Sequence, residues 1–193
     1  FFDGYTSGSA GLGAFAQANV PNRSLVLTSG ETPTWENGSN YGARFEGLIV
    51  PPKTGTYYFS VCSDDQSYLY ISTDDSPANL PTDPIAQVTS WTNQREWAKE
   101  GTQTDFNGMN LTAGKRYFFR ALQVEGGGGD GIGIGWTQPG EDPATTINVI
   151  PGSALVRPIN TDNSTVTITQ QPVSVTGVDG KTATLSVSAN GSS

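Results

Sequence analysis

Two adjacent carboxylates, Asp64-Asp65, close the apolar run Tyr57-Tyr58-Phe59-Ser60-Val61-Cys62, and a second acidic pair, Glu125 and Asp130, brackets four successive glycines. Carboxylates gathered from separated loops can do two kinds of chemistry: paired acid and base work on a glycosidic bond, or coordination of a hard cation. Successive side chains of an extended strand point to opposite faces, so neighbouring aspartates reach one ion only where the backbone bends sharply between them. Asp is also a common turn former, and an ordinary solvated turn is the competing reading of the pair.

The run Glu125-Gly126-Gly127-Gly128-Gly129-Asp130-Gly131 admits a similar choice. Consecutive glycines lose much entropy on folding and offer no side-chain packing, so they suit a backbone that takes unusual angles or approaches something closely. A loose hairpin loop is one reading, and a loop whose carbonyls and Asp130 line a ligand is the other. Phosphate binding is disfavoured, because no Lys-Ser/Thr ending and no helix follow the glycines, and acids flank them.

Calcium fits the available donors, being a hard cation that takes six to eight oxygen ligands. Asp64, Asp65 and Asp130 would offer carboxylates, and Gly127 and Gly128 would offer backbone carbonyls. No contiguous EF-hand loop is present, so such a site is assembled from separate loops.

Composition narrows the alternatives. The 193 residues carry a formal charge of −8 with ten Lys and Arg, which leaves no basic stripe for nucleic acid or an anionic membrane surface. The absence of histidine removes the usual general base of Ser and Cys hydrolases and the commonest transition-metal ligand. The one cysteine, Cys62, forms neither an intrachain disulfide nor a cysteine zinc site, and it reads as a small buried hydrophobe. No stretch approaches the length that spans a bilayer, and no basic-then-apolar leader opens the sequence.

The elements that must position these residues read as β-strands. Abundant Gly, Pro, Ser, Thr and Asn favour short strands joined by turns, and alternation marks strands at 44–50, 56–63, 67–73, 115–124 and 131–137. In the fourth, Tyr117, Phe119 and Ala121 share one face while Phe118, Arg120 and Leu122 share the other, as in a strand within a sandwich. The prolines of 74–84 mark a surface loop, and 91–100 leaves room for a short helical turn. Beyond Pro158 aromatics vanish, and strands are expected at 165–169, 173–176 and 182–189. The division is therefore residues 1–157 as the main domain and 158–193 as a tail too small for its own core. That tail packs on the main domain, belongs to a longer domain, or pairs with another chain.

Asn40-Tyr41-Gly42-Ala43-Arg44-Phe45-Glu46-Gly47, Pro51 to Phe59, Ser63-Asp64-Asp65-Gln66-Ser67, and Glu125 to Gly131 followed by Ile134-Gly135-Trp136 occur in the order seen in PA14 domains, which residues 1–157 resemble. The resemblance implies an all-β, PA14-type β-sandwich with a short β-rich C-terminal extension. In the adhesin branch it also implies calcium-dependent glycan binding, with the paired aspartates joined by a cis peptide. On that match Asp64 and Asp65 are the aspartate pair, and Asp130 with Gly127 and Gly128 is the second loop, although the yeast adhesins place an asparagine there. The tail resembles the opening strands of bacterial immunoglobulin-like modules.

The expectation is thus an extracellular or cell-surface module of a bacterial protein, binding a glycan or polysaccharide through Ca²⁺ completed by a sugar diol, and not an enzyme. Trp91, Trp97 and Tyr68 are candidates for stacking on the sugar, whereas Trp136 reads as core. Two alternatives stand beside it. In one, calcium only stabilises the fold of a structural subunit whose C-terminal strands pair with neighbouring copies in a filament or surface layer. In the other, Asp64 and Asp130 act as a glycosidase pair.

Overall fold

The computed structural model describes residues 1–5, 12, 20–33, 38–158, 166–171, 179–180, 182 and 186–191. The chain divides into two compact units, Phe1–Arg157 and Pro158–Ser193.

Unit one is built from β1 (Phe2–Asp3), β2 (Tyr41–Ile49), β3 (Gly55–Asp64), β4 (Ser67–Ile71), β5 (Ala86–Val88), β6 (Met109–Leu111), β7 (Tyr117–Glu125), β8 (Gly131–Thr137), β9 (Asn148–Val149) and β10 (Leu155–Val156). They form two antiparallel sheets of a β-sandwich. One runs in the order β1-β2-β7-β4-β5, with β10 also on β2, and the other runs β6-β3-β8-β9.

The period of two along each strand decides what lies between the sheets. Tyr57, Phe59 and Val61 of β3 meet Ile132, Ile134 and Trp136 of β8 and Tyr117, Phe119 and Ala121 of β7 in one core. Trp136 is enclosed there as expected, its ring 5.2 Å from that of Tyr57. Each large apolar side chain among them contributes about 1.5–3 kcal/mol by leaving water. The opposite face of β7 gives Leu122 and Val124 to a second cluster with Phe2, Leu12, Tyr68 and Tyr70. Both faces of β7 are therefore packed, as its doubled apolar pattern predicts.

Cys62 is buried, and burial pushes its thiol up to about 12, so it sits as an inert apolar group. Segment 74–84 is a loop with one short 3₁₀ turn, Pro77–Asn79, capped by the Ser76 hydroxyl. The helical turn expected within 91–100 does not form. Instead these residues make turns tied to their neighbours: the Glu100 carboxylate accepts the Thr89 and Ser90 amides, and Glu31 pairs with Arg95. Among the described residues no helix is long and apolar enough to cross a membrane.

In unit two, β11 (Val166–Gln170) and β12 (Ser188–Gly191) pair antiparallel, with a register shift between Ile168 and Gln170. The expected strand at 173–176 lies outside the described residues, as do residues 165 and 183–185 of its two neighbours.

Candidate functional site

The inward-facing row of β3 passes from Tyr57, Phe59 and Val61 to Ser63, where it stops being apolar and the chain turns toward β4. Ser63 is held from three sides. Its hydroxyl donates to the Asp65 carbonyl at 2.6 Å and lies 2.7 Å from the Ser67 hydroxyl, its amide donates to Thr92 Oγ1 at 3.0 Å, and its carbonyl accepts the Thr92 amide at 2.6 Å. Asp64 bridges to Trp91 on the adjoining segment. The Asp64-Asp65 peptide bond is cis. The pair thus sits on a fixed turn at one end of the sandwich.

A second row arrives from the facing sheet. Alternation continues Tyr117, Phe119 and Ala121 of β7 into Gln123 and Glu125, so the same face that fills the core ends in an amide and a carboxylate. The Gln123 amide nitrogen donates to the Asp64 carbonyl. Glu125 is 0% exposed, and neither of its carboxylate oxygens has a hydrogen-bond partner. Asp64, Asp65 and Glu125 each bring one carboxylate oxygen to within 4.8 Å of the others. Burial, then the Asp65 charge, pushes Asp64 up to about 6. Burial, then the charges of Asp65, Asp64 and Asp130, pushes Glu125 up to about 7. Three carboxylates so placed repel one another by more than the Gly126 amide on Asp65 and the Lys99 charge near Asp64 offset, since Asp64 and Glu125 both stay raised, and a divalent cation relieves such a cluster.

The glycine loop closes over this trio. The Gly126 amide donates to Asp65 Oδ2 at 3.0 Å, and Gly129 passes so close to Asp64 that a Cβ there would stand 3.0 Å from Oδ2. Gly128 has φ +114°, which favours glycine, and Gly127 and Gly128 are both exposed. Asp130 continues the inward row of Ile132, Ile134 and Trp136 on β8. It is 0% exposed and accepts the Tyr41 hydroxyl at 3.2 Å. Burial, with the Asp130 charge next, raises the Tyr41 phenol well above its ordinary range. The trio is therefore Asp64, Asp65 and Glu125, with Asp130 standing outside it beside Tyr41.

Glu125 was legible in the sequence. The alternation that assigns Phe119 and Ala121 to the core assigns Glu125 to the same side, and a carboxylate there needs a partner. Reading it only as a flank of the glycine run hides this.

The three candidate aromatics separate. Trp91 is 43% exposed beside Asp64, with the Lys99 ammonium over its ring. Trp97 packs on the outer side of β8, where a Cβ on Gly133 or Gly135 would stand 3.6 or 3.1 Å from its ring. That side is opposite to the row leading to Asp130. Tyr68 points away from Ser67 into the cluster with Tyr70 and Leu122. Of the three, Trp91 alone adjoins the aspartate pair through a backbone bridge.

The PA14 domain family model matches residues 1–148. Among curated proteins, the mouse (Mus musculus) N-acetyl-beta-glucosaminyl-glycoprotein 4-beta-N-acetylgalactosaminyltransferase 1 is 34% identical over 122 residues, which are 59% of this chain and 11% of that enzyme. Among solved structures, the epithelial adhesin 6 A domain from Candida glabrata, in complex with Galb1-3GlcNAc, is 16% identical with a TM-score of 0.46, over 62% of this chain and 51% of that one. The epithelial adhesin 9 A domain from the same yeast, in complex with Galb1-4GlcNAc, is 19% identical with a TM-score of 0.48, over 65% and 55%. The chain thus spans about half the length of these structures and about a tenth of the transferase. The transferase overturns the expectation of a chain that is not an enzyme, because a stretch 34% identical to part of this chain resides in one. The match to the PA14 family ends at residue 148 and leaves the immunoglobulin-like reading of the tail without support.

Proposed function

The chain belongs to the PA14 domain family, and on that premise we propose that it is a carbohydrate-binding module whose binding depends on Ca²⁺ held at Asp64, Asp65 and Glu125. The observation that carries this reading is Glu125, wholly enclosed with both carboxylate oxygens unpartnered and two further carboxylates within 4.8 Å. An unpaired buried charge is costly, and hard oxygen donors of this kind suit calcium.

When bound, the ion would supply coordination positions in which a vicinal diol of a sugar replaces water. The chain's own groups do the rest. Gly126 fixes Asp65, Gln123 fixes the Asp64 carbonyl, and Gly127 and Gly128 are exposed on the loop next to the pair, where their carbonyls would join the ligand set. Trp91 offers an apolar ring beside the pair for a sugar C–H face. Exchange of water for hydroxyl gains little, so single-site affinity is weak and attachment is multivalent. Such a module belongs outside the cell or on its surface. Within a longer glycan-processing enzyme, as its relationship to a transferase allows, the same site would hold the glycan near the chemistry.

The test is a glycan array with calcium and with chelator, run on the native protein and on Asp65→Ala and Glu125→Gln, alongside calorimetric calcium titration. Glycan binding that survives chelation rejects the mechanism. Calcium binding with no glycan bound across a broad array points instead to an ion that only stabilises the fold.

A further inference from the structure

We infer that the chain carries a second, calcium-independent carbohydrate subsite in the cleft between β5 and residues 102–107, built around Phe106 and selective for an uncharged pyranose ring. The cleft has a volume of about 510 Å³ and lies where β5 ends its sheet, with Phe106, Asp83, Gln87, Asp105 and Asn107 among its lining residues.

The segment leading to Phe106 is strapped to β3. The Gln103 side-chain amide donates to the Val61 carbonyl at 3.1 Å, the Ser60 and Thr104 hydroxyls meet at 2.9 Å, and the Asp105 amide donates to the Phe59 carbonyl at 2.8 Å. Asp105 is nearly enclosed and accepts the Asn107 amide at 3.0 Å, which fixes the turn on both sides of Phe106. Gln87 is held the same way, exchanging backbone and hydroxyl hydrogen bonds with Thr102. A backbone so constrained nevertheless leaves Phe106 58% exposed where it lines the cleft. A rigidly mounted aromatic ring ringed by amides and carboxylates matches what an uncharged sugar needs: an apolar platform for its C–H face and edge-on acceptors and donors for its hydroxyls. Asp83 and Asp105, on a chain of net charge −8, disfavour acidic sugars.

The inference is independent of the calcium site. Asp83, Asp105 and Phe106 have no part in the Asp64, Asp65 and Glu125 trio, so the two readings fail separately.

The test is two-dimensional ¹H–¹⁵N NMR of the full chain titrated, in chelator, with the methyl glycosides of glucose, galactose, mannose and N-acetylglucosamine. At least one should move the amides of Gln87, Phe106 and Asn107 saturably, with Phe106→Ala weakening it by about three- to tenfold and Gln87→Ala also weakening it. Both variants alter partly or fully exposed side chains, so an unchanged spectrum elsewhere verifies the fold. No saturable shift at these amides with any of the four glycosides overturns the inference, as does an undiminished affinity in Phe106→Ala. Shifts that appear only when calcium is restored and centre on residues 126–129, with the amides of Gln87, Phe106 and Asn107 unmoved, would belong to the first site and overturn the second.

Discussion

Asp64 Oδ2 occupies the space beside Gly129 so closely that a Cβ on that glycine would stand 3.0 Å away. The glycine loop and the aspartate pair are therefore fitted to each other. Gly129→Ala should push the Asp64 carboxylate or the loop outward by a few tenths of an ångström. Because Gly129 is exposed, little folding energy is at stake. The expected outcome is a roughly three- to tenfold loss of calcium affinity, since rigid oxygen ligands tune that affinity, with the melting temperature in chelator unchanged. Calorimetry and thermal unfolding check it, and equal calcium affinity would show that the loop does not constrain Asp64.

Glu125 is the residue on which the ion would act most strongly, because both its oxygens are enclosed and unpartnered. Glu125→Gln keeps the shape and removes the charge. In chelator the variant should unfold about 2–4 °C higher than the native protein, the shift that roughly 1 kcal/mol produces at this size. With calcium the order should reverse, since the native protein gains stabilisation from ligand binding that the variant lacks. A variant equally stabilised by calcium would remove Glu125 from the ligand set.

The proton competes with the same ion. Asp64 titrates near 6 and Glu125 near 7 in the folded protein, against ordinary values of 3.8 and 4.5. Between about pH 4 and pH 7 the folded state therefore binds more protons than the unfolded state, and stability without calcium falls as pH rises through that window. Acidification from pH 8 to pH 5 should raise the melting temperature in chelator. Apparent calcium affinity should fall over the same interval, because the ligands must be deprotonated. Thermal scans and calcium titrations at several pH values measure both trends, and a melting temperature in chelator that drops on acidification would contradict the placement of these carboxylates.

Much of this fold follows from alternation alone. Strands at 56–63 and 131–137 are close to the observed β3 and β8, because long runs with one buried face declare themselves. The two- and three-residue strands β1, β5, β6, β9 and β10 are too short to show a period. The site was legible in part: Asp64 and Asp65 stand out as a pair, and the inward row of β7 points to Glu125. Trp97 was not legible, because its position over Gly133 and Gly135 depends on the path of the loop at 91–100, which Glu31 holds through Arg95 from a distant part of the sequence.

Gly47 separates stability from the site. It lies on β2, where a Cβ would stand 2.5 Å from Cε1 of the fully buried Phe119. The Phe119 ring packs edge-on against Phe45 at 5.0 Å and has little room to retreat. Gly47→Ala should destabilise by about 1–3 kcal/mol, the usual cost of overpacking a core. Urea unfolding measures it, and a loss below the error of the fit would mean that the ring can slide aside.

Lys99 is the cation that opposes the carboxylates. Burial and the Asp65 charge raise Asp64, whereas the Lys99 charge draws it back down, and the same ammonium lies over the exposed Trp91 ring. It therefore repels an incoming divalent ion and covers the ring on which a sugar would stack. Lys99→Gln should tighten calcium binding by about two- to fivefold at low salt, the range of a single exposed charge interaction. The gain should shrink as ionic strength rises and screens that charge. If Trp91 is a stacking surface, the variant should also bind its glycan more tightly at saturating calcium, and Trp91→Ala should abolish that second gain while leaving the first. A calcium affinity insensitive to Lys99→Gln at low ionic strength would place the ion away from Asp64.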